Sequence, residues 1–163
     1  MGKKGFVKIL AITGESRDWV RNKLRESWGS TKLVSRGKVH NGDQLPGFIG
    51  YLEGEPIGLC TYRIDKNECE LISINSYREK RGVGTGLINS VINTARKAGC
   101  YRVWLITSND NLHALKFYQK YGFRLVSIYP NALDISRKLK PEIPLVGLDG
   151  IPLRDEIELE FRL

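Results

Sequence analysis

The chain has 163 residues, 41% of them hydrophobic and 27% charged, so we predict a single domain over residues 1–163 with a core that needs neither disulfides nor metals. It contains no apolar run of about 18 residues and begins without the apolar stretch of a signal peptide, which excludes a membrane-spanning helix and predicts a cytoplasmic protein. The net charge of +8 favours an anionic partner such as nucleic acid, an acidic membrane or a polyphosphorylated small molecule, and the basic residues are spread along the whole chain, which weakens the nucleic-acid interpretation.

The first half of the chain predicts strands with one helix among them. Apolar runs predict strands at residues 6–12, 48–52, 57–64 and 69–75, with a hairpin turn at 53–56. Between the first two strands, Val20, Leu24 and Trp28 recur at helical spacing, after Thr13 or Ser16 as the cap. Residues 31–40 fit either a strand or an irregular loop.

The second half predicts two strand–helix pairs and a closing hairpin. A helix begins at residues 81–86. It is followed by a strand at 102–107, a second helix at about 111–121 and a strand at 123–129. Residues 131–150 carry two prolines and are predicted to be irregular. The last segment alternates apolar residues with Glu156, Glu158, Glu160 and Arg162, which predicts a half-buried strand with one solvated face. This order indicates an α/β fold, a mixed sheet with helices on its faces.

The glycine-rich segment Arg81-Gly82-Val83-Gly84-Thr85-Gly86 lies between a predicted strand and a helix. Glycines let the backbone approach a ligand, and the unpaired N–H groups of a helix start bind anions such as a pyrophosphate. Arg81 and Lys80 add positive charge. Neither a Walker loop nor a GxGxxG dinucleotide fingerprint is present, because Leu87 stands where the latter needs glycine. A glycine-rich turn without a ligand is the alternative.

Two strings together resemble the cofactor motifs of the GNAT superfamily of N-acetyltransferases. Arg81-x-x-Gly84-x-Gly86 resembles the acyl-CoA loop, and Asn111-x-x-Ala114-x-x-Phe117-Tyr118-x-x-x-Gly122-Phe123 resembles the second cofactor motif on the following helix. The resemblance covers about residues 57–123. It implies the GNAT fold, a central and mostly antiparallel sheet that splays at the cofactor site and is flanked by helices.

The resemblance also implies how acetyl-CoA binds. Backbone amides of the loop would hold the pyrophosphate, and the end of the preceding strand would hydrogen-bond the pantetheine arm, with one amide polarising the thioester carbonyl. The second motif helix would touch the cofactor near its start. The residues implied are Ile74, Asn75, Ser76, Arg81, Gly82, Val83, Gly84, Thr85, Gly86, Asn111, Ala114 and Tyr118. Asn111 is also the predicted cap of its helix.

Two residues are predicted to be catalytic on the same resemblance. Tyr118 matches the tyrosine near the CoA sulfur and would protonate the departing thiolate; a core tyrosine is the alternative. Glu70 lies eleven positions before Arg81, where many family members carry a general base that takes a proton from the amine. Glu68 has the same side-chain parity and is the alternative base, and a solvated glutamate is the remaining interpretation.

The predicted function is transfer of an acetyl group from acetyl-CoA to an amine, by direct attack in a ternary complex and without a metal. The alternatives are a non-catalytic acyl-CoA-binding module and a basic nucleic-acid-binding protein. Cys60, Cys69 and Cys100 form no CxxC pair and are expected to be core residues. The acceptor stays open, as does the choice between monomer and homodimer.

Four further residues are weaker candidates for a role at the acceptor. His40 is a second possible base, and Asp134, Arg137 and Lys140 belong to a segment that could form an acceptor loop. His113, on the first turn of the second motif helix, is expected to be exposed.

Overall fold

The computed structural model describes residues 5–78 and 81–163, and within them nine strands and four α-helices. The strands are β1 (Val7–Ala11), β2 (Lys32–Ser35), β3 (Lys38–Asn41), β4 (Gly47–Leu52), β5 (Glu55–Asp65), β6 (Glu68–Ser76), β7 (Arg102–Ser108), β8 (Arg124–Tyr129) and β9 (Glu156–Arg162). The helices are α1 (Arg17–Trp28), α2 (Val83–Lys97), α3 (Leu112–Tyr121) and α4 (Ala132–Leu139). No helix in these described stretches is long and apolar enough to span a bilayer.

Seven strands form one sheet in the order β1-β4-β5-β6-β7-β9-β8, and β2 pairs with β3 as a separate hairpin. Neighbours in the large sheet are antiparallel except β6 and β7, which are parallel and joined through α2, as a parallel crossover requires. The predicted mixed, mostly antiparallel sheet with flanking helices is therefore confirmed. The undecided segment at residues 31–40 contains β2 and most of β3.

The pairing of β6 with β7 stops halfway along both strands. The last paired residues are Leu71 and Leu105, although β6 continues to Ser76 and β7 to Ser108. Beyond that point the two strands present backbone edges to each other without a ladder between them. The sheet thus splays where the sequence predicted a cofactor site.

A β-bulge accounts for the position of this splay. Thr61 of β5 lies opposite Ser73, whereas Tyr62 lies opposite Leu71, so Ile72 is an extra residue in β6. A bulge bends its strand and can end pairing on the far side. Ile72 directly follows Leu71, the last residue of β6 that pairs with β7. The same inserted residue therefore marks the bend in β6 and the start of the gap between β6 and β7.

Apolar layers cover both faces of the large sheet. On one face α2 buries the predicted stripe of Leu87, Ile88, Val91, Ile92 and Ala95, and on the other face α1 buries Val20 and Leu24 completely. Burial of each of these side chains except that of Ala95 contributes about 1.5–3 kcal/mol. Trp28, predicted on the same stripe of α1, is instead 41% exposed, and its indole N–H donates to Asn75 Oδ1 at 3.1 Å.

The prediction that residues 131–150 are irregular is wrong for its first part, which forms α4. Ala132, Leu133 and Ser136 are buried at helical spacing, and Lys140 just beyond the helix is buried as well. The helix has only eight residues, and Pro141 and Pro144 follow it closely, so in the sequence it is easily taken for part of an irregular loop.

The prediction of a solvated glutamate face on β9 is also wrong, because Glu156 and Glu158 are only 4% and 8% exposed. Tyr129 and Arg102 donate to Glu158 at 2.9 and 3.0 Å, and the backbone N–H of Arg36 donates to Glu156 at 3.1 Å. These donors come from distant parts of the chain, which the alternation of a single strand cannot reveal.

Candidate active site

The start of α2 forms a glycine-rich turn beyond the end of β6. Gly82 is the N-cap with a φ of 72°, a left-handed conformation that favours glycine. The first helical hydrogen bond runs from the Gly86 N–H to the Gly82 carbonyl at 3.0 Å. The amides of Val83, Gly84 and Thr85 precede it and have no partner within the helix, as at any helix start. Together with the helix dipole they favour a phosphate.

This geometry changes the predicted role of Gly86. Its amide is used by the helix, and its missing side chain leaves room for Ile9, whose Cδ1 and Cγ1 atoms would lie 3.3 Å from a Cβ at this position. Arg81 is exposed beside the turn, while Lys80 lies outside the described residues.

Gly84 joins the two predicted motifs. A Cβ at Gly84 would lie 3.2 Å from Phe117 Cζ, so glycine allows α3 to pack closely on the first turn of α2. Asn111 caps α3 as predicted, because its Oδ1 accepts the Ala114 N–H at 3.1 Å. The Phe117 contact thus packs the middle of α3 against the first turn of α2.

The end of β6 offers backbone groups to the gap in an alternating pattern. The Tyr77 N–H donates to Ile57 of β5 at 2.7 Å, and backbone groups of successive strand residues point to opposite edges. Asn75 therefore also faces β5, whereas Ile74 and Ser76 face the gap. The side chain of Asn75 is held by Trp28, and Ser76 Oγ donates to the Arg78 carbonyl at 2.9 Å.

Tyr118 lies on the α2 side of the sheet and is 7% exposed. Its ring packs edge-on against Phe117 and Phe123, with centroids 5.5 and 5.6 Å away. Burial raises the pKa of the Tyr118 hydroxyl well above its usual value, and nearby Cys60, the cross-strand partner of Ile74, adds to this. The hydroxyl thus stays protonated at neutral pH, beside the strand that borders the gap.

Glu70 lies on the opposite face of the sheet, because it alternates with Cys69 and Leu71 of the α2-side core. It is 5% exposed, and its Oε1 accepts the Ser35 hydroxyl at 2.6 Å. Burial raises the pKa of this carboxyl above its ordinary value, against the lowering effect of Ser35 and of nearby basic groups. A raised pKa makes Glu70 a stronger base than an exposed glutamate.

Ser35 and His40 complete a buried array around Glu70, of which the sequence suggested only His40 as a second possible base and missed Ser35. The Nε2 atom of His40 lies 3.2 Å from Ser35 Oγ. Burial lowers the pKa of His40, so its ring is neutral at pH 7. Since the Ser35 proton is directed to Glu70, the His40 Nε2–H donates to Ser35. His40 therefore reaches Glu70 only through Ser35, and no sequence motif marks the hairpin that carries both residues.

Glu68, the alternative base, is occupied by other partners. Its Oε1 accepts the Tyr101 hydroxyl and the Arg102 Nε–H, both at 2.5 Å. The Tyr101 hydrogen bond is the main cause that lowers the pKa of Glu68. A lowered pKa makes a weaker base, so the geometry favours Glu70.

A cavity of about 140 Å³ lies between the β2–β3 hairpin and the sheet. Its lining combines basic and acidic groups with one indole ring: Ser35, Arg36, Lys38, Arg63, Asp65, Glu68, Glu70 and Trp104. Arg63 is paired with Asp65 at 2.6 Å. Glu70 thus borders a space open to a small acceptor.

The remaining candidates have other environments. Arg137 donates to the Pro144 carbonyl at 2.9 Å, and Lys140 donates to the carbonyls of Trp28 and Lys32 at 2.6 and 3.0 Å, so both tie segments of the fold together. Asp134 pairs with Arg137 at the surface. His113 is exposed, as expected.

The three cysteines are buried thiols. Burial raises the pKa of Cys60 and of Cys69 to about 12, which disfavours a thiolate nucleophile at either position.

Comparisons with known proteins agree with this architecture. YdhI of Bacillus subtilis is 45% identical over 131 residues, 80% of this chain and 82% of that protein. An acetyltransferase from Elizabethkingia anophelis, solved with acetyl-CoA bound, has a TM-score of 0.70 at 21% identity over 96% of this chain and 98% of its own. An IAA acetyltransferase from Bacillus cereus has a TM-score of 0.69 at 21% identity over 96% of this chain and 99% of its own. Residues 15–123 match the acetyltransferase (GNAT) family, and the chain belongs to that family.

Proposed function

We propose that the chain transfers an acetyl group from acetyl-CoA to an amine by direct attack in a ternary complex. The observation that carries the proposal is the gap between β6 and β7. The amides at the start of α2, which have no partner within the helix, lie beyond the end of β6, and the buried Glu70 lies on the face of the sheet opposite α2. A ligand in such a gap can be held by backbone groups while its reactive end reaches the acceptor cavity.

Binding would use main-chain groups at the start of α2 and at the end of β6. The amides of residues 83–85 hold the pyrophosphate, with Arg81 nearby and Asn111 and Ala114 bordering the site from α3. The pantetheine arm pairs with Ile74 and Ser76, which face the gap, rather than with Asn75. A single one of these strand amides would donate to the thioester oxygen as negative charge develops on it.

Proton transfer would be divided between the two faces of the sheet. Glu70 takes a proton from the protonated amine, whose nitrogen then attacks the thioester carbon. As the carbon–sulfur bond breaks, Tyr118 gives its proton to the thiolate. The acylated nitrogen loses its second proton to solvent as the amide forms, and Tyr118 regains a proton from solvent. Glu70 then releases the proton it took, so the amide group of the product is neutral and one proton is released overall.

The buried Ser35–Glu70 bond favours catalysis over the alternative of a binding module. A buried carboxylate with a raised pKa destabilises the fold, and its retention beside a cavity is typical of a functional site.

We predict that the purified chain releases free thiol from acetyl-CoA only when an amine is present. The assay follows thiol release with a thiol-reactive dye over a panel of small amines, amino acids and peptides, with binding of acetyl-CoA measured in parallel by calorimetry. Tight binding without turnover on any amine would favour the binding module, and absence of binding would contradict the proposed cofactor site.

For Glu70→Gln we expect kcat/KM to fall by about 100-fold near neutral pH and to recover partly at high pH, where the amine loses its proton without a base. Urea unfolding provides the control. Because the folded pKa of Glu70 is raised, the wild type loses stability as pH rises above the unfolded value, and the variant avoids that loss. The variant should therefore be at least as stable as the wild type at pH 8. Wild-type rates at every pH would remove Glu70 as the base.

For Tyr118→Phe we expect kcat to fall by about 100-fold while the Kd for CoA changes little, because only the proton donor is lost. Steady-state kinetics and calorimetry measure the two quantities. Tyr121→Phe is the matched control on the same helix, since its hydroxyl donates to Asn89 at the surface. Equal effects of the two substitutions would contradict the acid role of Tyr118.

For Ser35→Ala we expect the acidic limb of the kcat/KM profile to move to higher pH, because loss of the Ser35 donor raises the pKa of Glu70 further. The rate at high pH should stay near that of the wild type. Ser73→Ala, which removes a buried hydroxyl bonded to Thr61 at 2.6 Å, is the control and should leave the profile in place. An unshifted profile for Ser35→Ala would show that Glu70 does not set this limb.

A further inference from the structure

Two basic side chains at the cavity beside Glu70 have no acidic partner. Arg36 lies in the two-residue turn of the β2–β3 hairpin, Lys38 directly follows that turn, and both line the cavity. Within residues 5–78 and 81–163, neither side chain lies within ion-pair distance of a carboxylate. The hydrogen bond from Arg36 to Glu156 comes from the backbone N–H and not from the guanidinium. Both cations are therefore available to an anionic ligand.

The other charged groups that line this cavity already have partners. Arg63 pairs with Asp65 at 2.6 Å, and Glu68 accepts the Arg102 Nε–H at 2.5 Å. The carboxyl of Glu70 accepts a hydroxyl of the hairpin at 2.6 Å. The charge that is left for a ligand to neutralise is thus positive, and it belongs to the hairpin side of the cavity.

The register of the hairpin places Lys38 close to the predicted base. Lys38 lies opposite Ser35, whose hydroxyl donates to Glu70 Oε1. Residues directly opposite in an antiparallel pair have Cβ atoms about 4.5–5.5 Å apart. Burial raises the pKa of Glu70 and the positive charge of Lys38 acts against this effect, so the two groups are within electrostatic reach.

The guanidinium of Arg36 is held in place by an aromatic ring. It lies over the ring of Tyr129, with its central carbon 3.3 Å from the ring centroid. At this distance the guanidinium contacts the ring through its face, so its N–H groups point outward in the guanidinium plane, where a carboxylate can accept two of them. Arg36 also directly follows Ser35, so this donor edge belongs to the same wall of the cavity as Lys38.

We propose that Arg36 and Lys38 form a carboxylate-binding subsite, and that the acceptor is therefore a small amine that also carries a carboxylate, as an amino acid does. The inference rests on the proposed function and names the substrate class for that same site. A carboxylate can accept a pair of N–H bonds from the guanidinium and another from the ammonium. The amine at the other end of the molecule would then face Glu70.

The size and lining of the cavity favour a small molecule with a single negative charge. Its volume of about 140 Å³ is below the roughly 300–1,000 Å³ of pockets that hold drug-sized ligands. Trp104, the cross-strand partner of Glu70 on β7, lines the cavity and offers an apolar surface to the carbon chain between amine and carboxylate. A polyphosphate fits less well, because the carboxyl groups of Asp65, Glu68 and Glu70 line the same space.

The test measures binding of ω-amino acids, from glycine to 6-aminohexanoate, to the chain saturated with CoA. An NMR titration detects weak binding and needs no turnover. Each amino acid is compared with its carboxamide, which keeps the amine and loses the negative charge. The amino acid that binds best should bind at least about tenfold more tightly than its carboxamide, a difference of about 1.4 kcal/mol.

The double variant Arg36→Gln/Lys38→Met should bind the amino acid and its carboxamide with equal affinity, because both cations of the subsite are lost. The matched control is Lys8→Met/Arg25→Gln, which removes the same charges from exposed positions of β1 and α1. The control should keep the preference of the wild type, and the two double variants should have the same Kd for CoA.

A wild type that binds no amino acid more tightly than its carboxamide would overturn the proposal, even if the double variant failed to fold. The preference would also have to be assigned elsewhere if a folded Arg36→Gln/Lys38→Met variant kept it, or if the control lost it. Failure of the proposed function is a separate result, in which the preference depends on Arg36 and Lys38 but no thiol is released from acetyl-CoA with any amine.

Discussion

The end of backbone pairing between β6 and β7 is the constraint on which the rest of the site depends. Beyond Leu71 and Leu105 both strands carry N–H and C=O groups that a neighbouring strand would normally satisfy. Such groups are costly when left unpaired, so the gap requires water or a ligand with its own donors and acceptors. A pantetheine arm contains amide groups and would meet this requirement. The inserted residue Ile72 lies where the pairing ends, so the bulge that bends β6 also accounts for a gap that suits this class of ligand.

The same gap separates two environments that favour opposite steps of an acyl transfer. On the α2 side, burial keeps the Tyr118 hydroxyl protonated, as a proton donor must be. On the hairpin side, burial raises the pKa of Glu70, and the Ser35 hydroxyl holds its carboxylate in place. In the proposed mechanism, the base Glu70 and the acid Tyr118 lie on opposite faces of one sheet, and a thioester bound between them would prevent direct exchange of a proton.

Sequence patterns predicted the sheet, α1 to α3 and the anion turn, because burial in those elements follows regular spacing and the loop requires glycine at particular positions. They did not predict α4, whose few buried residues lie among charged ones. They also missed Ser35 and the burial of Glu156, since both depend on a hairpin that docks from far along the chain. The alternation of apolar and polar residues in one strand shows which side chains share a face. It does not show which polar side chains are buried by partners from distant parts of the chain.

The distribution of charge gives the two substrates different destinations. The chain carries a net charge of +8, which attracts an anionic co-substrate from solution, and the exposed Arg81 stands beside the helix amides that would receive its phosphates. Two carboxyl groups, by contrast, are buried near the hairpin, those of Glu70 and Glu156, where the low dielectric strengthens their interaction with any charge that reaches them. In the proposed function, the net positive charge would therefore attract the polyanion from a distance, whereas a cationic amine would meet Glu70 only inside the cavity.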